Sequence, residues 1–105
     1  MRQAKVFVHR KVAGILTEYS FTRYTFQYHS EYQGDPVSLT MPLKEATYTF
    51  DSFPPYFEGL LPEGYNKNQL LKLRKIDSND LFSQLVYLGD DFIGATTILE
   101  IITNE

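Results

Sequence analysis

The chain contains no cysteine and no tryptophan. Without cysteine there is no disulfide, no thiolate metal site and no cysteine nucleophile. That usage suits a reducing compartment, and a cytoplasmic location is expected. No apolar run approaches the ~18 residues of a membrane span. The opening Met1-Arg2-Gln3-Ala4-Lys5 leads into an alternating strand rather than the apolar core of a signal peptide, so no membrane association is expected. Positive charge is also short: Lys and Arg number 10 against 13 Asp and Glu, for a net charge of −3. A mildly acidic domain is a poor general binder of phosphate backbones, which argues against direct contact with nucleic acid. Only two histidines occur, His9 and His29, without metal-ligand spacing, and both read as surface or strand-end residues. There is no glycine-rich phosphate loop. Ser20, Ser30 and Ser38 lie in no nucleophile-elbow context, and His9-Arg10 is followed by Lys11 rather than by the aspartate of a kinase catalytic loop. Asp90-Asp91 reads as a solvated turn, because no further carboxylate stands at a calcium-loop spacing. No catalytic, cofactor-binding or metal-binding residue is assigned, and the chain is expected not to be an enzyme.

What the chain has in quantity is aromatic residues, eight Tyr and eight Phe among 105 residues. Aromatics serve cores first and interfaces second. The length predicts one domain, residues 1–105, able to bury roughly two-thirds of its unfolded surface. Lys5 to His9 reads as a strand, Arg10 to Gly14 as a turn closed by Gly14, and Ile15 to Tyr19 as the returning strand of a hairpin. Phe21 to Tyr28 is the clearest strand. Tyr24, Phe26 and Tyr28 alternate with Arg23, Thr25 and Gln27, the period of a half-buried sheet. That aromatic stripe has the spacing of a base-stacking platform, but the acidic balance favours a core face. His29 to Pro36 is a polar loop. Val37 to Met41 and Ala46 to Phe50 read as short strands of edge type.

From residue 51 the apolar period becomes helical. Asp51 or Ser52 is placed to cap a helix whose first turn holds Pro54-Pro55. Phe53, Phe57, Leu60 and Leu61 then share one face. Pro62 disfavours helix at Leu61, and Gly64 admits backbone angles other residues avoid. Phe57-Glu58-Gly59-Leu60-Leu61-Pro62-Glu63-Gly64-Tyr65 thus reads as a rigid joint between two short helices. The second helix spans Gly64 to Lys75, with Leu70, Leu71 and Leu73 on one side and Tyr65 projecting opposite. A third spans Asp77 to Leu88, capped by Asp77, carrying the stripe Leu81, Leu85 and Leu88, and ended by Gly89 in a left-handed conformation. Ala95 to Ile102 is apolar on both faces and reads as a central strand. The predicted class is α+β: a mostly antiparallel sheet of five or six strands with a cluster of three short helices between residues 52 and 89.

Two segments carry a resemblance. Phe57-x-x-Leu60-Leu61-Pro62-Glu63-Gly64, followed by Asp80-Leu81-Phe82-x-x-Leu85-x-x-x-Gly89-x-Asp91-x-x-Gly94-Ala95, resembles the N-terminal domain of HipA-type serine/threonine kinase toxins. The opening strand, the strand around Phe26 and the segment Ser38-Leu39-x-Met41-Pro42-Leu43 fit as well, so the likeness runs from about Lys5 to Leu99. In full-length HipA a kinase core follows this domain, and here the chain ends at Glu105, where that core would begin. The chain therefore resembles the free-standing HipS-type proteins of three-gene HipB–HipS–HipT systems. The resemblance implies a non-enzymatic antitoxin that binds a HipT-like serine/threonine kinase, blocking its active site or holding it inactive. A HipB-like helix-turn-helix repressor is a further implied partner in a ternary complex. The small-protein members commonly carry tryptophan just after the joint, where this chain has Tyr65. The residues expected to bind the partner are Leu61, Pro62, Glu63, Gly64, Tyr65 and Lys67. The competing readings are an N-terminal structural domain excised from a HipA-type kinase and a small β nucleic-acid-binding module.

Overall fold

The computed structural model describes residues 1–62, 64–89 and 95–102, with 64–67 and 74 described in their backbone alone. Five strands, β1 (Arg2–Val8), β2 (Lys11–Ser20), β3 (Arg23–Tyr28), β4 (Thr47–Phe50) and β5 (Thr96–Ile101), form one sheet in the order β4-β3-β2-β1-β5. Every neighbouring pair is antiparallel. Three helices, α1 (Pro55–Glu58), α2 (Gly64–Arg74) and α3 (Leu81–Leu88), stand between β4 and β5 in the chain. The α+β class is as expected.

The strand register explains which residues face the core. Cross-strand partners align Glu100, Ala4, Leu16, Phe26 and Tyr48 in one row, and Ile98, Val6, Gly14 and Tyr28 in the next. Since alternate residues share a face, these rows define the inner side of the sheet. Ala4, Val6, Leu16, Tyr24, Phe26, Tyr28 and Ile98 are buried there with Phe57, Phe82 and Leu85 of the helices. The aromatic stripe of β3 is thus a core face. Gly14 has no room for a side chain: a Cβ would lie 2.2 Å from the Gln27 carbonyl oxygen and 2.9 Å from the Phe26 ring.

Several boundaries differ from expectation. The hairpin turn is only His9-Arg10, with φ of 50° and 68°. Two consecutive positive φ values match the right-handed strand twist, and Gly14 lies inside β2 instead of closing the turn. Val37 to Met41 is not a strand but a turn with a single bridge, Ser38 to Met41. There the hydroxyls of Ser38 and Thr40 bond locally and compete with ladder formation. Pro54, not Asp51 or Ser52, is the N-cap of α1, and no side chain caps it. Asp80, not Asp77, caps α3 by accepting from the Ser83 N–H; Asp77 instead accepts from the Asn79 N–H one turn earlier. Gly89 ends α3 at φ 50°, the expected sign, though its ψ of −85° lies off the left-handed helical well. In α2 the leucines do not form one buried side, since Leu73 is 72% exposed. β5 is an edge strand rather than a central one, and the outward-facing Leu99 is 58% exposed. The turn expected at Asp90-Asp91 lies outside the described residues.

Candidate partner-binding site

The joint after α1 is built on buried anchors. Pro55 at the first helical position supplies a preset φ and lacks an N–H that would have no partner there. Phe57 is fully buried, its ring centroid 5.9 Å from that of Phe26 and 5.2 Å from that of Tyr56. The Tyr56 hydroxyl and the Thr96 Oγ1 hydrogen-bond at 2.7 Å, tying α1 to β5. Past α1 the chain continues in tight turns. The Gly59 N–H donates to the Pro55 carbonyl (2.9 Å), Leu60 to Phe57 (3.1 Å) and Leu61 to Glu58 (3.1 Å). The backbone is therefore bonded residue by residue up to Pro62, and α2 starts two residues later at Gly64.

Among the six residues expected to bind a partner, Leu61 is buried and Pro62 half-buried. Leu61 belongs to the core cluster with Phe57, so in the free domain its side chain anchors the joint. Gly64, Tyr65 and Lys67 lie in the first turns of α2. Glu63, and the side chains of Tyr65 and Lys67, lie outside the described residues.

A second cluster holds the other end of the helical layer. Arg2 Nε donates to Glu18 Oε1 at 2.7 Å, Nη2 to Asp80 Oδ1 at 2.8 Å and Nη1 to Ser83 Oγ at 2.9 Å. Its guanidinium lies 4.8 Å from the Phe82 ring centroid. Ser83 Oγ donates to Asp80 Oδ2 at 2.7 Å, and the Tyr24 hydroxyl to Glu18 Oε2 at 2.8 Å. Burial alone would raise the Asp80 pKa, but the hydrogen bonds from Arg2 and Ser83 outweigh it and hold the carboxyl below its ordinary range. Burial, then the bond to the Glu18 carboxylate, pushes the Tyr24 phenol up. The cluster clamps β1 and β2 to the start of α3. The sequence reading missed Arg2 because its partners lie 16 and 78 residues away.

The polar side chains of the clamp bond to one another. The clefts of about 600, 500 and 330 Å³ are lined by none of the clamp residues. His9 Nε2 approaches Asp35 Oδ2 at 3.7 Å, with both side chains exposed. Among the described residues no three of His, Asp and Glu gather closely enough to hold a metal ion. No helix among them is long and apolar enough to cross a membrane.

A five-stranded antiparallel sheet with a helical layer pinned at both ends defines a small α+β domain. Comparison with known proteins makes this specific. The pattern of the HipA N-terminal domain matches residues 4–99, and the chain belongs to that family. It is similar to an uncharacterized protein of Haemophilus influenzae, at 35% identity over 100 residues, covering 95% of this chain and 93% of that protein. It is also similar to a solved structure, the N-terminal domain of HipA toxin, with 31% identity and a TM-score of 0.79 over 99% of this chain and 96% of that one.

Proposed function

We propose that this chain is a non-enzymatic antitoxin. It docks on a HipT-like serine/threonine kinase in the cytoplasm and neutralises it, either by blocking the active site or by holding the kinase inactive. The joint from Leu61 to Lys67 is the centre of the contact. The observation that carries this reading is the seating of the joint: Phe57 and Leu61 are buried on one side of it and each backbone turn up to Leu61 is hydrogen-bonded. An entry into the joint that is fixed as far as Leu61 lowers the entropy lost on docking. Tyr65 follows directly, a large ring with a polar tip that suits a pocket part apolar and part wet. Glu63 and Lys67 flank it as rim charges. A HipB-like repressor is a further partner in a ternary complex, and this mildly acidic domain itself touches no DNA.

The second reading is favoured by the likeness to the solved N-terminal domain of HipA toxin, a part of a toxin rather than of an antitoxin. In it the fold is a structural part of a HipA-type kinase and has no inhibitory action. Adding the purified domain to the cognate kinase separates the two. An antitoxin suppresses kinase autophosphorylation at near-stoichiometric ratios, whereas a structural domain leaves the rate unchanged.

A further inference from the structure

The segment Ser38-Leu39-Thr40-Met41-Pro42-Leu43 has no part in the joint or in the clamp, yet it is heavily braced. The Met41 N–H donates to the Ser38 carbonyl at 3.0 Å, closing the turn, and the Thr40 N–H donates to Ser38 Oγ at 3.2 Å. The two hydroxyls of Ser38 and Thr40 hydrogen-bond at 2.9 Å. The Tyr28 hydroxyl holds both flanks, donating to the Met41 carbonyl and accepting from the Val37 N–H at 2.9 Å. Tyr48 adds a bond from its hydroxyl to the Pro42 carbonyl. Val37 and Met41 are buried on either side. Between them Leu39 is 95% exposed, the highest figure among the exposed large hydrophobic residues described.

A leucine held out by this much local structure is a fixed apolar knob. Its backbone is ordered before any partner arrives, so docking costs little further entropy. The chemistry around it narrows the partner. From Pro36 to Leu43 there is no charged residue, and Leu43 is itself 38% exposed. The complementary surface is therefore an uncharged apolar pocket on a protein. Tyr28, which holds both flanks of the turn, meets Phe26 edge-on, and Phe26 in turn meets Phe57 of α1, so the turn and the start of the joint are seated on the same, helix-bearing side of the sheet. One partner on that side can meet both.

We infer that Leu39 is a second anchor for the same kinase, entering an uncharged apolar pocket while the joint makes the polar-rimmed contact. The inference rests on the antitoxin reading. The test measures affinity for the purified cognate kinase by calorimetry for the parent domain, Leu39→Asp and Leu39→Met, with a melting curve for each. The expected result is at least a tenfold loss for Leu39→Asp, as for a hot-spot side chain, retention within about threefold for Leu39→Met, and an unchanged melting midpoint for both. If Leu39→Asp binds like the parent, the second anchor is wrong and the antitoxin reading survives. If Leu39→Asp melts markedly lower, the leucine serves the fold and the inference also fails. If the parent itself does not bind the kinase, the antitoxin reading falls and takes the anchor with it.

Discussion

Replacing Arg2 with alanine removes the centre of the clamp, and its cost follows from the geometry. Arg2 holds Glu18 and Asp80 in ion pairs of 2.7 and 2.8 Å, with side-chain exposures of 32% for Arg2, 11% for Glu18 and 30% for Asp80. Exposed pairs contribute ~0–1 kcal/mol, and breaking a fully buried pair costs ~3–5 kcal/mol. These exposures place the clamp between the limits, at about 2–3 kcal/mol. The larger part comes from Glu18, which is left with only the Tyr24 hydroxyl among its described partners. For a domain near this size each kcal/mol moves the midpoint by roughly 4–8 °C, so the drop should be on the order of 10 °C. A double-mutant cycle with Asp80→Ala should show coupling of about 1 kcal/mol, because the two side chains share one network. Strictly additive losses, or a midpoint within 2–3 °C (about 0.5 kcal/mol) of the parent's, would refute the clamp. The pH dependence gives an independent check. The folded-state pKa of Asp80 lies below its unfolded value near 3.8. Its contribution is therefore present above that unfolded pKa and is lost as pH falls through the folded one. The acid limb of the stability profile should be shallower in Arg2→Ala than in the parent.

Other outcomes follow from the same structure. Leu85→Ala deletes a fully buried side chain of α3 and should cost ~2–5 kcal/mol in a denaturant titration; an unchanged midpoint would mean the stripe is not core. Changing His9-Arg10 to Asn-Gly at two positive-φ positions should stabilise the domain by about 1 kcal/mol, because that pair suits a two-residue hairpin turn; a lower melting temperature would contradict the turn geometry. The purified domain should neither bind ATP nor transfer phosphate, since the chain has no phosphate loop; turnover in a preparation free of kinase would overturn the reading.

Much of the fold was legible because period and punctuation agree. The β3 alternation placed Tyr24, Phe26 and Tyr28 in the core, and the 81–88 stripe placed Leu85 there. The errors share a physical cause, which is that local pattern does not report tertiary surroundings. β5 is apolar on both faces, yet it sits at an edge. Asp77 and Asp80 are equally good caps by type, and Arg2, far away in sequence, helps to fix Asp80 in that place. Val37 to Met41 has strand composition, but the Ser38 and Thr40 hydroxyls and the distant Tyr28 fold it into a turn. The joint was readable from Pro62 and Gly64, which act on their own neighbours. Its anchoring by Tyr56 on Thr96, 40 residues on, was not. The Leu39 knob was hidden for the same reason, although Ser38-x-Thr40 carries the signature of a hydroxyl-bonded turn.

The measurement that bears most directly on the central claim pairs Tyr65→Ala with the parent domain against the cognate kinase. Calorimetry gives the affinity, an autophosphorylation assay the neutralisation, and a melting curve the fold. The account predicts a loss of ~2 kcal/mol or more in binding, about thirtyfold, with neutralisation weakened in step and the melting midpoint nearly unchanged. A Tyr65→Ala domain that binds and neutralises like the parent would contradict it and place the inhibitory surface away from the joint.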